Sequence, residues 1–383
     1  MVKYKTLYLL KNKRIKMKIF TIGGATQDIF IHYQDPESLV IKNKKETKSY
    51  LLLEKGAKIE VETLSYSTGG GATNSAFSFK RLEFDVSPVI KVGVGKAGQY
   101  ITDQFKASRI DITYVAKDKN TGTGLSYIIP SFEGDRTIFA YRGANAHLTK
   151  KDVPLNKITG NCGLYITSLS GDSSEILFPI SSHAKKHNIP VAVNPGISQL
   201  SGGCQELEHS LQNIDIFILN SQEAKTFLQS LAKQLSPKEL EKDIKSSVAF
   251  EKLPDLIKSL VYIENICFNL KDFCKEIMSR GPRIVVVTNG EEGVYVAHKN
   301  RLYFFPSLPT TIVDTVGAGD AFGSCFTASI FKGLTVEEAL INGIINASSV
   351  ISYEDATSGL LTWKEIQKRA KKIDLSLMKT FKL

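Results

Sequence analysis

The sequence predicts a three-layer α/β/α protein on a mostly parallel central sheet, with a small β lid inserted near its start. Three observations carry this expectation. Short apolar runs of strand length alternate with amphipathic helical stretches over most of the chain, the pattern that βαβ units produce. Glycine-rich turns at Gly23–Gly24, Gly69–Gly71 and Gly93–Gly98 follow such runs, where a strand hands over to the next element. A chain of 383 residues, 42% hydrophobic and 23% charged, has room for one large α/β domain with an appendage, and no apolar run approaches the ~18–20 residues that span a bilayer.

Residues 1–16, MVKYKTLYLLKNKRIK, are basic, with an apolar patch only from Leu7 to Leu10, too short for a signal-peptide core. They are expected to lie outside a fold that occupies 17–383. Residues 18–23 read as a buried first strand. From about 28 to 68 the chain turns β-branched and polar, and SYLLLEKGAKIEVETL reads as two lid strands about a turn at Lys55–Gly56. TGGGATNSAFSFKRL passes from a glycine turn into a helix, and VSPVIKVGVG is the next strand. The alternating sheet continues through ITYV, TGLSYIIP, TIFAYR, CGLYITSL, IPVAVNP and IDIFILN, with helices over 173–187 and near 204–212. A helical insertion is expected over about 230–279, packed on an outer edge. Ser236-Pro237-Lys238-Glu239 is a capping box with proline at the first helical position, and apolar residues recur at helical spacing from Leu253 to Met278, giving two or three helices. RIVVVTNGEEGVYVA returns to strand, turn, strand, and RLYFFP adds another. The end is helical, with Gly333 as a stop and Thr335 with Glu338 as the next cap.

The net charge of +10 is spread along the chain with no basic, aromatic-interleaved stripe, which argues against a nucleic-acid partner and suits an anionic small substrate. Cys162, Cys204, Cys267, Cys274 and Cys325 are odd in number and lack a C-x-x-C pair. That excludes a disulfide framework and a zinc knuckle and fits a reducing compartment, so a cytoplasmic protein with no membrane partner is expected.

The most informative stretch is DTVGAGDAFGSCF, Asp314 to Phe326. Gly317, Ala318 and Gly319 let the backbone curl, so the N–H groups of 317–320 can point outward at a helix N-terminus, where unpaired donors and the helix dipole favour an anion. Such a nest can hold a phosphoryl group, with Asp320 at its mouth to take a proton from an attacking hydroxyl. An ordinary glycine turn with Asp320 as a helix cap fits the same residues, and the residues alone leave both readings open. A competing motif is KVGVGKAGQY, where Gly93, Gly95 and Gly98 have G-x-G-x-x-G spacing and Asp118 follows twenty residues after Gly98. A dinucleotide fingerprint usually opens its βαβ unit, whereas this one follows a strand, a lid and a helix. It is no Walker A loop either, since Ile90 stands five residues before Gly95 and Ala97 follows Lys96. His183 and His187 lack the glutamate of a metalloprotease helix, and TSLSG lacks nucleophile-elbow spacing.

DTVGAGDAF resembles, nearly residue for residue, the C-terminal signature of the ribokinase-like, or PfkB, family of carbohydrate and nucleoside kinases. The likeness continues in order from about residue 18 to 370. GGATQD resembles the family's first strand and substrate-binding acid, GGGATN its N-terminal signature, LNSQEA its N-x-x-E motif and TNGEEG its T-x-G-x-x-G nucleotide loop; RTIFAYRGAN is family-like as well. The resemblance implies a ribokinase-like fold and ATP-dependent phosphorylation of a hydroxymethyl group on a sugar, or on a nucleoside of the adenosine type. It implies that Asp28 and Asn74 bond substrate hydroxyls, that Gly69 and Gly70 approach the substrate, and that Asp320 removes the proton beside the amides of Gly317, Ala318 and Gly319. By the same resemblance Asn220, Glu223, Thr288, Gly290 and Gly293 line the nucleotide, and Glu223 positions Mg²⁺ through water. Asp314 and the carbonyl of Val316 would hold a monovalent cation such as K⁺. Family members often carry G-x-D-x-x-G where this chain has Lys96 in place of the acid, so Gly93 to Gly98 read as a strand-to-helix turn. Outside catalysis stand a sugar-binding regulatory protein and an NAD-dependent oxidoreductase, which the intact Asp320 and the late position of the fingerprint disfavour. A β lid serves either as a monomer's cover or as the clasp of a homodimer.

Overall fold

The computed structural model describes residues 16–33, 37–42, 47–130, 136–201, 205–232, 254–258, 261–263 and 266–383. The N-terminal extension, but for Lys16, and the capping box at 236–239 lie outside the described residues. In chain order the strands are β1 (Lys18–Ile22), β2 (Thr26–His32), β3 (Glu37–Lys42), β4 (Thr47–Leu52), β5 (Thr63–Gly69), β6 (Asp85–Gly93), β7 (Val115–Asp118), β8 (Gly124–Pro130) and β9 (Arg136–Tyr141). They continue with β10 (Cys162–Ile166), β11 (Val191–Val193), β12 (Ile216–Asn220), β13 (Val261–Ile263), β14 (Ile266–Phe268), β15 (Ile284–Thr288), β16 (Val294–His298), β17 (Arg301–Phe305) and β18 (Lys379–Lys382). The helices are α1 (Gly71–Arg81), α2 (Lys96–Ala107), α3 (Leu177–Lys186), α4 (Ile197–Leu200), α5 (Gln205–Leu211), α6 (Ser221–Ala232), α7 (Asp255–Lys258), α8 (Leu270–Ser279), α9 (Ala318–Phe331), α10 (Val336–Val350) and α11 (Trp363–Ala370).

The central sheet has the order β18-β17-β16-β15-β12-β11-β10-β1-β6-β7. Its strands from β7 to β15 are parallel, and β16, β17 and β18 extend one edge antiparallel. Both faces are covered, which is why the strands are apolar on both sides. On β15, Val285 and Val287 join a layer with Leu177, Leu207, Phe227 and Ile277, while Ile284 and Val286 join the opposite layer with Phe79, Phe105, Phe326 and Leu340. Cys162, Cys274 and Cys325 are buried, unpaired thiols. Among the described residues no helix is long and apolar enough to cross a membrane.

The lid differs from its sequence reading. Strands β5-β2-β8-β9 form it, so TGLSYIIP and TIFAYR belong to the lid and not to the central sheet. The register puts Tyr66, Ile29, Tyr127 and Phe139 in one row across the lid, and the exposure of Tyr66, Tyr127 and Phe139 shows that this face is open. The turn at Lys55–Gly56 exists, but its flanking strands do not pair with each other: β4 pairs with β3 and β5 with β2. The stretch after Leu253 also departs from the all-helical expectation. Strands β13 and β14 pair between α7 and α8, because Val261–Ile263 and Ile266–Phe268 are rich in β-branched and aromatic residues about a polar centre. Helix α8 is no edge addition, since Phe273, Cys274 and Ile277 are buried in the core layer of Val285.

The G-x-G-x-x-G stretch is the turn from β6 to α2. The Gly93 N–H donates to Thr123 Oγ1 at 2.9 Å, and a Cβ on Gly98 would lie 2.2 Å from the Gly93 carbonyl and 2.9 Å from Thr123 Oγ1. Asp118 is spent on its own turn, accepting from the N–H groups of Asn120 and Thr121. Gly98→Ala should therefore lower the stability by ~1–3 kcal/mol, read as a lower urea midpoint with an unchanged slope, and NAD or NADH should not protect the native protein. An unaltered midpoint, or saturable NAD binding, would contradict this reading.

Candidate active site

Two helices from distant parts of the chain bring their N-termini together at the carboxyl ends of the parallel strands, where ligands of open α/β sheets bind. Helix α1 is capped by Gly70 at φ 88° and helix α9 by Gly317 at φ 74°, a left-handed backbone that glycine adopts without strain. Neither position tolerates a side chain: a Cβ on Gly70 would lie 2.5 Å from the Gly24 carbonyl, and one on Gly317 2.2 Å from the Ala356 Cβ. Small residues let the helices approach, with Ser324 Oγ 2.6 Å from Ser78 Oγ. The result is one direct bond between the two signatures. Asn74 Nδ2 donates to Asp320 Oδ2 at 2.8 Å.

Asp320 is not a helix cap. It stands at the third position of α9 and makes no capping hydrogen bond, its carboxylate being used by Asn74. Of the four N–H groups expected to face an anion, that of Ala318 turns back to the Thr315 carbonyl at 3.3 Å. Those of Gly317, Gly319 and Asp320 have no partner among the described residues, and space over Gly319 is open.

Asp28 enters from β2 and is only 5% exposed. Thr26 Oγ1 donates to its Oδ1 at 2.8 Å, and Gly69 lies so close that a Cβ there would be 2.0 Å from Oδ2. Ser67, Ser126 and Ala140 share its row across the lid sheet. Ser67 Oγ and Asn74 Oδ1 are buried without a partner, an uncommon condition that a ligand's hydroxyls would relieve. Asn145, whose part the sequence reading did not specify, fixes this corner: its amide accepts from the Ala25 N–H and donates to the Ala25 carbonyl, both at 2.9 Å.

The carboxyl groups of the cleft are short of positive charge. Burial, and then the charge of Asp28, hold the Asp320 carboxyl above the ordinary aspartate range, against the lowering effect of Asn74. Burial likewise raises Asp28, and Glu223 is raised by burial with a contribution from Asp320. Glu223 also caps its helix reciprocally with Asn220: Oε2 accepts from the Asn220 N–H and Asn220 Oδ1 from the Glu223 N–H, each at 2.8 Å. The described residues hold no cluster of three acids, histidines or cysteines fit to cage a metal. Charge-starved carboxylates without a cage fit a hydrated Mg²⁺ carried by phosphates.

Of the residues expected to line a nucleotide, Asn220 and Thr288 are register partners at the ends of β12 and β15. Gly290 at φ 53° and Gly293 at φ 125° shape the following loop, closed by the Asn289 N–H to the Gly293 carbonyl at 2.8 Å. Asp314 and Val316 open the anion loop, the Val316 N–H donating to Asp314 Oδ1 at 2.7 Å. Exposed Ile312 and Val313, which the sequence reading passed over, stand just before it. Contacts between lid and body include Arg136 Nη1 to Asp314 Oδ1 at 3.0 Å, His32 Nε2 to Glu354 Oε1 at 2.6 Å and the Tyr100 hydroxyl donating to the Tyr66 carbonyl at 3.0 Å.

A parallel-sheet domain with a β lid beside an anion-binding helix terminus is the architecture of small-molecule kinases of the ribokinase fold. The chain belongs to the pfkB family of carbohydrate kinases, whose family model matches residues 40–252 and 268–363. It is 27% identical over 300 residues to a ribokinase of Staphylococcus aureus, covering 77% of this chain and 86% of that protein. The structure of Arabidopsis thaliana ribokinase complexed with ribose and ATP superposes with a TM-score of 0.67 at 19% identity, over 93% of this chain and 99% of that one. Burkholderia thailandensis nucleoside kinase in complex with inosine gives 0.67 at 16% identity, over 93% and 96%.

Because the Asp320 carboxyl titrates above its unfolded value, its ionised form costs the folded state free energy at every pH above the raised pKa. Asp320→Asn should raise the melting temperature at pH 7 by about 1–4 °C, as ~1 kcal/mol does in a domain of this size. The gain should fade as pH falls through the raised pKa and be gone well below the unfolded value of ~3.9, where Asp320 is protonated in both states. A variant less stable than wild type at pH 7 would show that the carboxylate supports the fold.

Proposed function

We propose that the protein is an ATP-dependent kinase that phosphorylates a hydroxymethyl group of a sugar. The observation that carries this reading is the Asp320 carboxylate, held by Asn74 beside the free N–H groups of Gly317, Gly319 and Asp320. The acceptor hydroxyl, oriented by Asp28 and Asn74, gives its proton to Asp320 as its oxygen bonds to the γ-phosphorus. The bond from that phosphorus to the bridging oxygen breaks, and ADP leaves with the electron pair. The loop N–H groups face the charge on the phosphoryl oxygens, where donors set in advance are most effective. Mg²⁺, held through water by Glu223, would neutralise the nucleotide phosphates. Thr288, Gly290 and Gly293 would line the nucleotide, and exposed Ile312 and Val313 suit the flat face of its base.

The row of Ser67, Asp28, Ser126 and Ala140 supports a sugar, because it offers hydroxyl and carboxylate partners to a polyol. A nucleoside acceptor is the second reading, favoured by a superposition on the Burkholderia nucleoside kinase as good as that on the plant ribokinase. A panel of pentoses, hexoses, their phosphates and nucleosides with ATP and Mg²⁺ separates the two. With the best acceptor, Asp320→Asn should lower kcat by ~10² to 10⁴ with KM nearly constant, as loss of a general base does. Near wild-type turnover in that variant would sink the mechanism.

A further inference from the structure

The cation that family resemblance places at Asp314 meets residues that do not fit it. Asp314 is 7% exposed, and its Oδ1 already accepts from Arg136 Nη1 at 3.0 Å and from the Val316 N–H at 2.7 Å. The same Nη1 donates to Thr315 Oγ1 at 2.7 Å. A monovalent cation needs lone pairs turned toward it, whereas here two donors converge on Oδ1, and one of them places a full positive charge against this carboxylate. Bringing a second cation to this carboxylate would add like-charge repulsion in a poorly solvated place. Guanidinium, always charged and weakly hydrated, is the side chain suited to a lasting partnership of this kind.

We propose that Arg136 is the resident counter-ion of Asp314, so that a lid residue, and no bound K⁺, sets the shape of the anion-binding loop. The inference rests on the kinase reading and deepens it. Arg136 begins β9, which pairs with β8, which pairs with the β2 strand that carries Asp28. The acid that meets the substrate and the counter-ion of the phosphoryl loop therefore travel on one sheet. At β2 and β5, His32 Nε2 and Ser65 Oγ hold the Glu354 carboxylate, three residues beyond Ile351, whose carbonyl accepts from the N–H groups of Val313 and Asp314. Opening the lid breaks the contacts at Asp314 and at Glu354 together. The loop is then complete only over an enclosed substrate, which couples phosphoryl binding to closure without a metal ion.

The test compares chloride salts of K⁺, Na⁺ and tetramethylammonium at one ionic strength of about 0.1 M, so that screening is constant. Wild type should melt within ~1 °C in all three, because a bound ion would stabilise the native state by mass action, and its turnover should vary less than about twofold. Arg136→Met should lose at least ~10-fold in kcat, while Arg136→Lys, which keeps the charge, should recover most of it. A K⁺-specific rise of more than ~3 °C in the wild-type melting temperature, or a K⁺-specific activation of turnover above about fivefold, overturns the proposal. Full activity of Arg136→Met overturns it too. If no acceptor is phosphorylated in any salt, the kinase reading fails, and the melting comparison still judges the counter-ion.

Discussion

The hydrogen bond from Asn74 to Asp320 is the constraint on which the rest of the cleft depends. Its partners lie 246 residues apart, and each is the side chain of a helix that begins at a positive-φ glycine. For these two side chains to meet at 2.8 Å the helices must pack closely, which fits the run of small residues between them. Ala72, Ala76, Ser78, Ala321 and Ser324 are all buried, and a Cβ on Gly323 would lie 2.4 Å from the Tyr165 hydroxyl. Close packing of small residues yields little apolar burial per residue. The stability of this region comes instead from the large side chains behind it, Phe79, Phe322 and Phe326 among them.

That arrangement places like charges near one another. Asp28, Asp320 and Glu223 all titrate above their ordinary values, with burial as the first cause. A fold selected for stability alone would not gather them or leave Asn74 Oδ1 and Ser67 Oγ without partners. Buried polar atoms without partners and raised carboxyls are features that fit a ligand site. The lid supplies one cation to the neighbourhood, the Arg136 guanidinium on Asp314, but not to the three raised carboxyls. Their deficit is what a nucleotide-borne Mg²⁺ and an array of substrate hydroxyl donors would answer.

The local turns and caps of the candidate site were legible in the sequence, because each is set by a few neighbouring residues. The glycine turn before Asp320, the glycine turn before Asn74 and the Thr335–Glu338 cap each depend on a few consecutive residues, and all three form as expected. Long-range placement was not legible. TGLSYIIP and TIFAYR have the composition of sheet strands, and nothing within them says which sheet they join. Arg136 and Asp314 are 178 residues apart, so their pairing has no local signal. The same holds for Asn145 and Ala25, 120 residues apart. The hairpin of β13 and β14 was hidden by apolar residues that satisfy helical and strand spacing alike, and the β-branched content of Val261–Ile263 was the available sign. The reciprocal cap of Asn220 and Glu223 shows that one residue pair can serve a helix end and a proposed nucleotide site together.

In the proposed mechanism Asn74, besides orienting the acceptor, acts on the chemical step at saturating acceptor through the Asp320 carboxylate that it holds. A double-mutant cycle in kcat, measured at saturating acceptor and ATP, addresses it directly. Asn74→Ala and Asp320→Asn should each lower kcat, and the double variant should fall within about threefold of Asp320→Asn alone, because groups that act as a unit are not additive. A double variant slowed by the full product of the two single effects would contradict the account, and would assign Asn74 and Asp320 to separate tasks.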